Sequence, residues 1–145
     1  MGDCPESDSG PVRGERMDIS TALPSMIGEI YDCAIDARRW RDVLERLATE
    51  FDCVSGSISV RNPATGEFRS VEDWGMDPGY KRLYVDKYHR LSAAGTLNCF
   101  GAIDAPTTAM DLLGEEEWFA SRFYREWCKP QGLINSALAL IARSE

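Results

Sequence analysis

The chain has 145 residues, 43% hydrophobic and 28% charged, a composition that fits one globular domain with a core of its own. Its 24 acidic and 16 basic side chains leave a net charge of −8, which argues against the basic face needed to grip a nucleic-acid backbone. No apolar run reaches the roughly 20 residues of a membrane span, and residues 1–16 lack a signal-peptide core, so a cytoplasmic protein with no direct nucleic-acid or membrane partner is expected.

Residues 1–17 are Asp, Glu, Ser, Gly and Pro with almost no apolar content. Such a segment cannot bury enough surface to offset ordering entropy and is expected to be a disordered tail. A first helix is expected over residues 20–33, where Leu23, Met26, Ile27, Ile30, Tyr31 and Ala34 recur at steps of three and four as one apolar stripe. A second follows Asp36, a plausible N-cap, with Trp40, Val43, Leu44, Leu47 and Phe51 on its buried face.

The period then changes. Residues 53–61 partly alternate, residues 62–66 form a turn at Gly66, and residues 67–74 return as the second strand of a hairpin. Asp77 and Pro78 open a third helix expected to run to about Arg90. Residues 92–108 are rich in Gly, Ala and Thr, with a short strand expected near 98–103. The last long helix is expected over 115–128, with Trp118, Phe119, Arg122, Phe123 and Trp127 on one face. Residues 133–141 read as a buried strand. The order implies an α+β fold, an antiparallel sheet flanked by helices.

Catalytic motifs are missing. There is no phosphate loop, dinucleotide fingerprint or nucleophile elbow. His89 is the single histidine, and the cysteines at 4, 33, 53, 99 and 128 are scattered and form no C-x-x-C pair. Neither an enzyme, a metal site nor a cofactor is expected. Glu115, Glu116 and Glu117 read as a solvated helix start, since consecutive helix residues do not face one another.

Tyr80, Tyr84 and Tyr88 stand at i, i+4 and i+8. Such a stripe fills a core or walls a pocket for a small organic molecule. If a pocket exists, it should lie between this helix and the hairpin, lined by Trp74, Tyr80, Tyr84 and Tyr88. The basic residues of this helix, Lys81, Arg82, Lys87 and Arg90, are expected to complement the acids of residues 104–117.

The run from Phe123 to Leu133, with Phe123, Tyr124, Glu126, Trp127, Pro130 and Gly132 in step, resembles the F-Y-x-E-W-x-x-P-x-G-L stretch in the N-terminal sensor domain of bacterial LuxR-type helix-turn-helix regulators. Trp40 in a leading helix, the hairpin turn at Thr65 and Gly66, and the Tyr-rich helix ending at Leu91 fall in matching order. The resemblance implies a PAS- or GAF-like, autoinducer-binding-like domain over residues 18–145, incomplete at its C-terminal end because the family continues into a DNA-binding domain. It implies a regulatory role in transcription, with a small organic signal molecule and a homodimer as expected partners. The alternative is a ligand-free interaction or dimerisation module of the same fold.

Overall fold

The computed structural model describes residues 19–143, so the expected tail at 1–17 lies outside the described residues. Two helices come first, α1 (Ile19–Cys33) and α2 (Trp40–Glu50). A 3-10 turn, Ala37–Arg39, joins them, and the Asp36 carboxylate accepts from the Arg38 amide at 3.1 Å. Ala22, Met26 and Cys33 of α1 are buried, as are Val43, Leu44 and Ala48 of α2. Arg46 of α2 pairs with Glu29 of α1, and Arg39 at the end of the connecting turn pairs with Asp32 of α1.

The single stripe expected on α1 is in fact two. Met26 is buried, but Leu23, Ile27, Ile30, Tyr31 and Ala34 are exposed. The buried row, Ala22, Met26 and Cys33, is displaced by one residue, about 100° around the helix. Phe51, expected inside, is exposed beyond the end of α2.

The hairpin pairs β1 (Gly56–Asn62) with β2 (Glu67–Trp74) in antiparallel register. Gly66 turns it at φ +72°. Ile58 lies opposite Glu72 but Ser59 opposite Ser70, so Val71 is an unpaired bulge residue. Helices cover both faces. A Cβ on Gly56 would meet Leu44 of α2 at 3.5 Å, whereas Arg61 and Phe68, an opposed pair on the other face, contact Tyr84.

Helix α3 (Pro78–Asp86) starts as expected, with Asp77 accepting from the amides of Gly79 and Tyr80. It ends earlier than Arg90. Lys87 adopts φ −138°, and a separate 3-10 turn, Tyr88–Arg90, follows. The strand expected near 98–103 does not form: residues 99–101 turn, directly after an unexpected helix α4 (Ala93–Asn98) that the Ser92 hydroxyl caps by accepting from the Gly95 amide. Only Ile103 makes a lone parallel bridge, to Leu140.

A second, two-residue ladder joins β3 (Thr107–Thr108) to β4 (Ala137–Leu138). Residues 133–141 therefore form a short strand rather than a long one. Between these strands lie α5 (Ala109–Leu113), with a capping box from Thr108 and Asp111, and α6 (Glu115–Ala120). The long helix expected over 115–128 breaks at Ser121, whose ψ is 146°. Its hydroxyl donates to Trp118 O at 2.7 Å and accepts from the Tyr124 amide at 3.1 Å, closing one helix and opening the next turn. That turn, Tyr124–Cys128, has π geometry, and a 3-10 turn, Lys129–Gln131, follows. Gly132 then reverses the chain at φ +74°.

The fold is thus mixed α and β with two small antiparallel sheets. Its main core is aromatic: Tyr88, Trp118, Phe123 and Trp127 are buried together with Ala94, Ala109 and Cys128. Trp118, the most enclosed large side chain, donates Nε1 to Ile134 O at 2.8 Å, so the polar edge of the indole is satisfied as its faces are buried. Among the described residues no helix is long and apolar enough to cross a membrane.

Candidate functional site

Helix α3 lies against the hairpin because Gly75 permits a close turn between them. Its φ is +76°, and a Cβ there would sit 2.4 Å from Val54 O, so no other residue fits without moving backbone. The three tyrosines then part company.

Tyr80 is half-buried, and its carbonyl accepts from Trp127 Nε1 at 3.0 Å. The Tyr84 ring meets Phe68 at 5.1 Å, Trp127 at 5.0 Å and Phe123 at 6.0 Å between centroids. Burial raises the Tyr84 phenol above its ordinary pKa, partly offset by Arg61, whose Nη2 donates to its hydroxyl at 3.3 Å. Tyr88 lies beyond the helix break, so it does not continue the stripe. It is buried, and its hydroxyl donates to Glu126 at 3.1 Å.

Trp74 occupies the opposite face of the hairpin. Without a bulge, Trp74 would share a face with Phe68 and Ser70, as their even spacing implies. The unpaired Val71 reverses the alternation, placing Trp74 opposite Gly56 on the α2 side. The same reversal turns Asp73 toward α3, where it pairs with Lys81.

A cleft of about 20 Å³ remains between the hairpin and α3, lined by Ser57, Ser70, Asp73, Lys81, Tyr84 and Val85 among others. That is room for one water, against the several hundred Å³ of an ordinary ligand pocket. Of the four residues expected to line a pocket, Tyr84 lines this cleft.

Two residues that sequence reasoning did not single out hold the region together. Arg61 donates to His89 O at 2.8 Å, to the Tyr84 hydroxyl and to Thr96 Oγ1, and its guanidinium lies 5.5 Å from the Phe68 centroid. It thereby bolts β1 to the ends of α3 and α4. Glu126 accepts from Arg122, Lys87 and Tyr88, and these donors, Arg122 foremost, hold its carboxyl down at about 2. Arg61 carried one sequence signal, a lone cation in an alternating strand. Glu126 carried none beyond its place in the Phe123–Leu133 run.

The basic residues of α3 and its extension do not complement the acids of 104–117 as expected: Lys81 pairs with Asp73, and Lys87 with Glu126. Nucleophilic chemistry finds little support at the cysteine nearest this core. Burial pushes the Cys128 thiol up to about 12, leaving almost no thiolate at neutral pH. His89 is buried and stacked on Phe68 at 5.3 Å, with Nδ1 donating to Tyr84 O at 3.1 Å. Among the described residues no group of three or more His, Cys, Asp and Glu is placed to hold a metal ion. Comparison with protein-family models, curated proteins and solved structures returns no match for this chain.

Proposed function

We propose that this chain is the regulatory domain of a LuxR-type transcriptional regulator, and that it acts through protein contacts rather than through catalysis, DNA reading or capture of a ligand among its tyrosines. The observation that carries the choice of contacts is the packing around Tyr84 and Tyr88. Their rings and hydroxyls are spent on Phe68, Phe123, Trp127, Arg61 and Glu126, and the neighbouring cleft has room for about one water.

The family part of the reading is supported by the Phe123–Leu133 run, four of whose distinctive residues have a structural task. Phe123 and Trp127 stack at 5.2 Å, Glu126 gathers three donors, and Gly132 makes the left-handed reversal. A PAS- or GAF-like arrangement is supported by helices on both faces of the β1–β2 hairpin. The acidic balance of the chain supports a role without direct DNA contact.

A second reading, a sensor for a small neutral organic signal, is favoured by the position of the cleft, against Tyr84 and between hairpin and helix. Two experiments test the proposal. Reading the gene downstream of codon 145 should find an in-frame helix-turn-helix; a stop codon or an unrelated domain there overturns the family assignment. Native mass spectrometry of the purified protein should show no retained small molecule; a stoichiometric ligand released on denaturation would replace the contact reading with the sensor reading.

A further inference from the structure

Seven of the 16 basic residues fall in two short stretches, 78–90 and 122–129, which hold only two acids, Asp86 and Glu126. The fold brings these stretches together. Lys87, at the end of α3, and Arg122, just before the π turn, meet on Glu126. Lys87 approaches it at 3.3 Å, and Arg122 donates to its two oxygens at 2.8 and 3.2 Å. Arg122, Arg125 and Lys129 recur at steps of three and four along this turn. All four cations are exposed. One carboxylate therefore stands among four cations, and among the described residues neither Arg125 nor Lys129 has an acid within ion-pair distance.

We infer that this face docks an acidic segment of a partner protein. The inference rests on the reading of the chain as a contact module and names the chemistry of its partner. Glu126 shows how a carboxylate is received here: the fork of Arg122, the ammonium of Lys87 and the Tyr88 hydroxyl all donate to it. Arg125 and Lys129 offer another guanidinium and another ammonium beside that site, without an acid of their own. The support beneath them is fixed. Phe123 and Trp127 of the same turn are buried, and Lys87 lies over the buried Tyr88 ring at 4.6 Å from its centroid. Cations carried on such a backbone need little further ordering when a partner arrives.

Charge also selects the class of partner. These two stretches are basic while the chain as a whole is at −8, so the acidic excess lies entirely outside them. A nucleic acid would extend past the four cations and meet that excess, whereas a short acidic peptide can end within them. The acids of residues 104–117, the complement expected within the chain, leave the face open, since Lys87 and Arg122 turn to Glu126 instead. Contacts between exposed charges are individually weak and screened by salt, so the complex should form fast, part readily and weaken as ionic strength rises.

Fluorescence anisotropy of a labelled octaglutamate peptide, titrated with the full chain at about 50 mM NaCl, tests the inference. The expected result is saturable binding with a Kd of about 10–100 μM. Arg125→Glu combined with Lys129→Glu should weaken it at least tenfold with an unchanged circular dichroism spectrum. Arg125→Gln combined with Lys129→Gln serves if the charge reversal disturbs folding. Arg38→Glu combined with Arg41→Glu makes the same change in net charge at exposed positions elsewhere, and should leave the Kd within about twofold. Absence of saturable binding overturns the inference, as does equal weakening by the two charge-reversed pairs. So does tighter binding of a single-stranded oligothymidylate of equal charge, which would make the face a reader of phosphates. A ligand retained in native mass spectrometry would overturn the contact reading and leave this titration as it stands.

Discussion

The two ends of the molecule use apolar residues in opposite ways. The C-terminal region encloses its largest side chains: Trp118 is 1% exposed, and Phe123 and Trp127 are each 6% exposed. Both indole N–H groups find carbonyls there. Helix α1 buries Ala22, Met26 and Cys33 and leaves Leu23, Ile27 and Ile30 outside, while α2 buries Val43 and Leu44. The contrast separates two jobs. A sealed aromatic core holds the fold, and beside it stands a helix whose Leu23, Ile27 and Ile30 are open to solvent.

The largest expected effect sharpens that contrast. Phe123→Ala should cost about 3–5 kcal/mol, as for other buried aromatics, whereas Ile27→Ala should change stability by less than about 0.5 kcal/mol. Urea unfolding of the two variants side by side checks this. Similar losses in both would erase the distinction between the regions.

Arg61→Leu comes next. It strips donors from His89 O and the Tyr84 hydroxyl and should cost about 2–3 kcal/mol, the usual penalty for breaking bonds made by a charged donor. A near-neutral result would mean that the hairpin is held by apolar packing alone.

A smaller effect should follow pH. The Glu126 carboxyl is held down to about 2 from an ordinary 4.5. A depressed carboxylate contributes stability that is fully present above its unfolded value and is lost as pH falls through its folded one. Between about pH 4.5 and 2, wild type should therefore lose stability more steeply than Glu126→Gln. Parallel acid profiles would show that the three donors around Glu126 do not matter to folding.

Much of this was legible from the residues. The hairpin and its turn, the Asp77–Pro78 helix start and the burial of Trp118, Phe123 and Trp127 all follow from alternation, turn chemistry and aromatic spacing. What escaped turned on single side chains acting locally. Ser92 caps a short helix in the Gly/Ala/Thr-rich stretch where none was expected, and Ser121 cuts one helix into two pieces. A serine hydroxyl that captures a backbone amide overrides the pattern around it. The bulge at Val71 is subtler still, because one extra residue sends Trp74 to the far face and brings Asp73 to Lys81. On α1, a window of threes and fours merged two rows that lie one residue apart, since both satisfy the same helical period.

Amide hydrogen exchange tests the contrast between the two regions most directly, because it reads both in one sample. Residues 118–128 should exchange only through openings close to global unfolding, while residues 19–35 exchange through smaller local ones. Equal protection in the two regions, or slower exchange in residues 19–35 than in residues 118–128, would contradict the account.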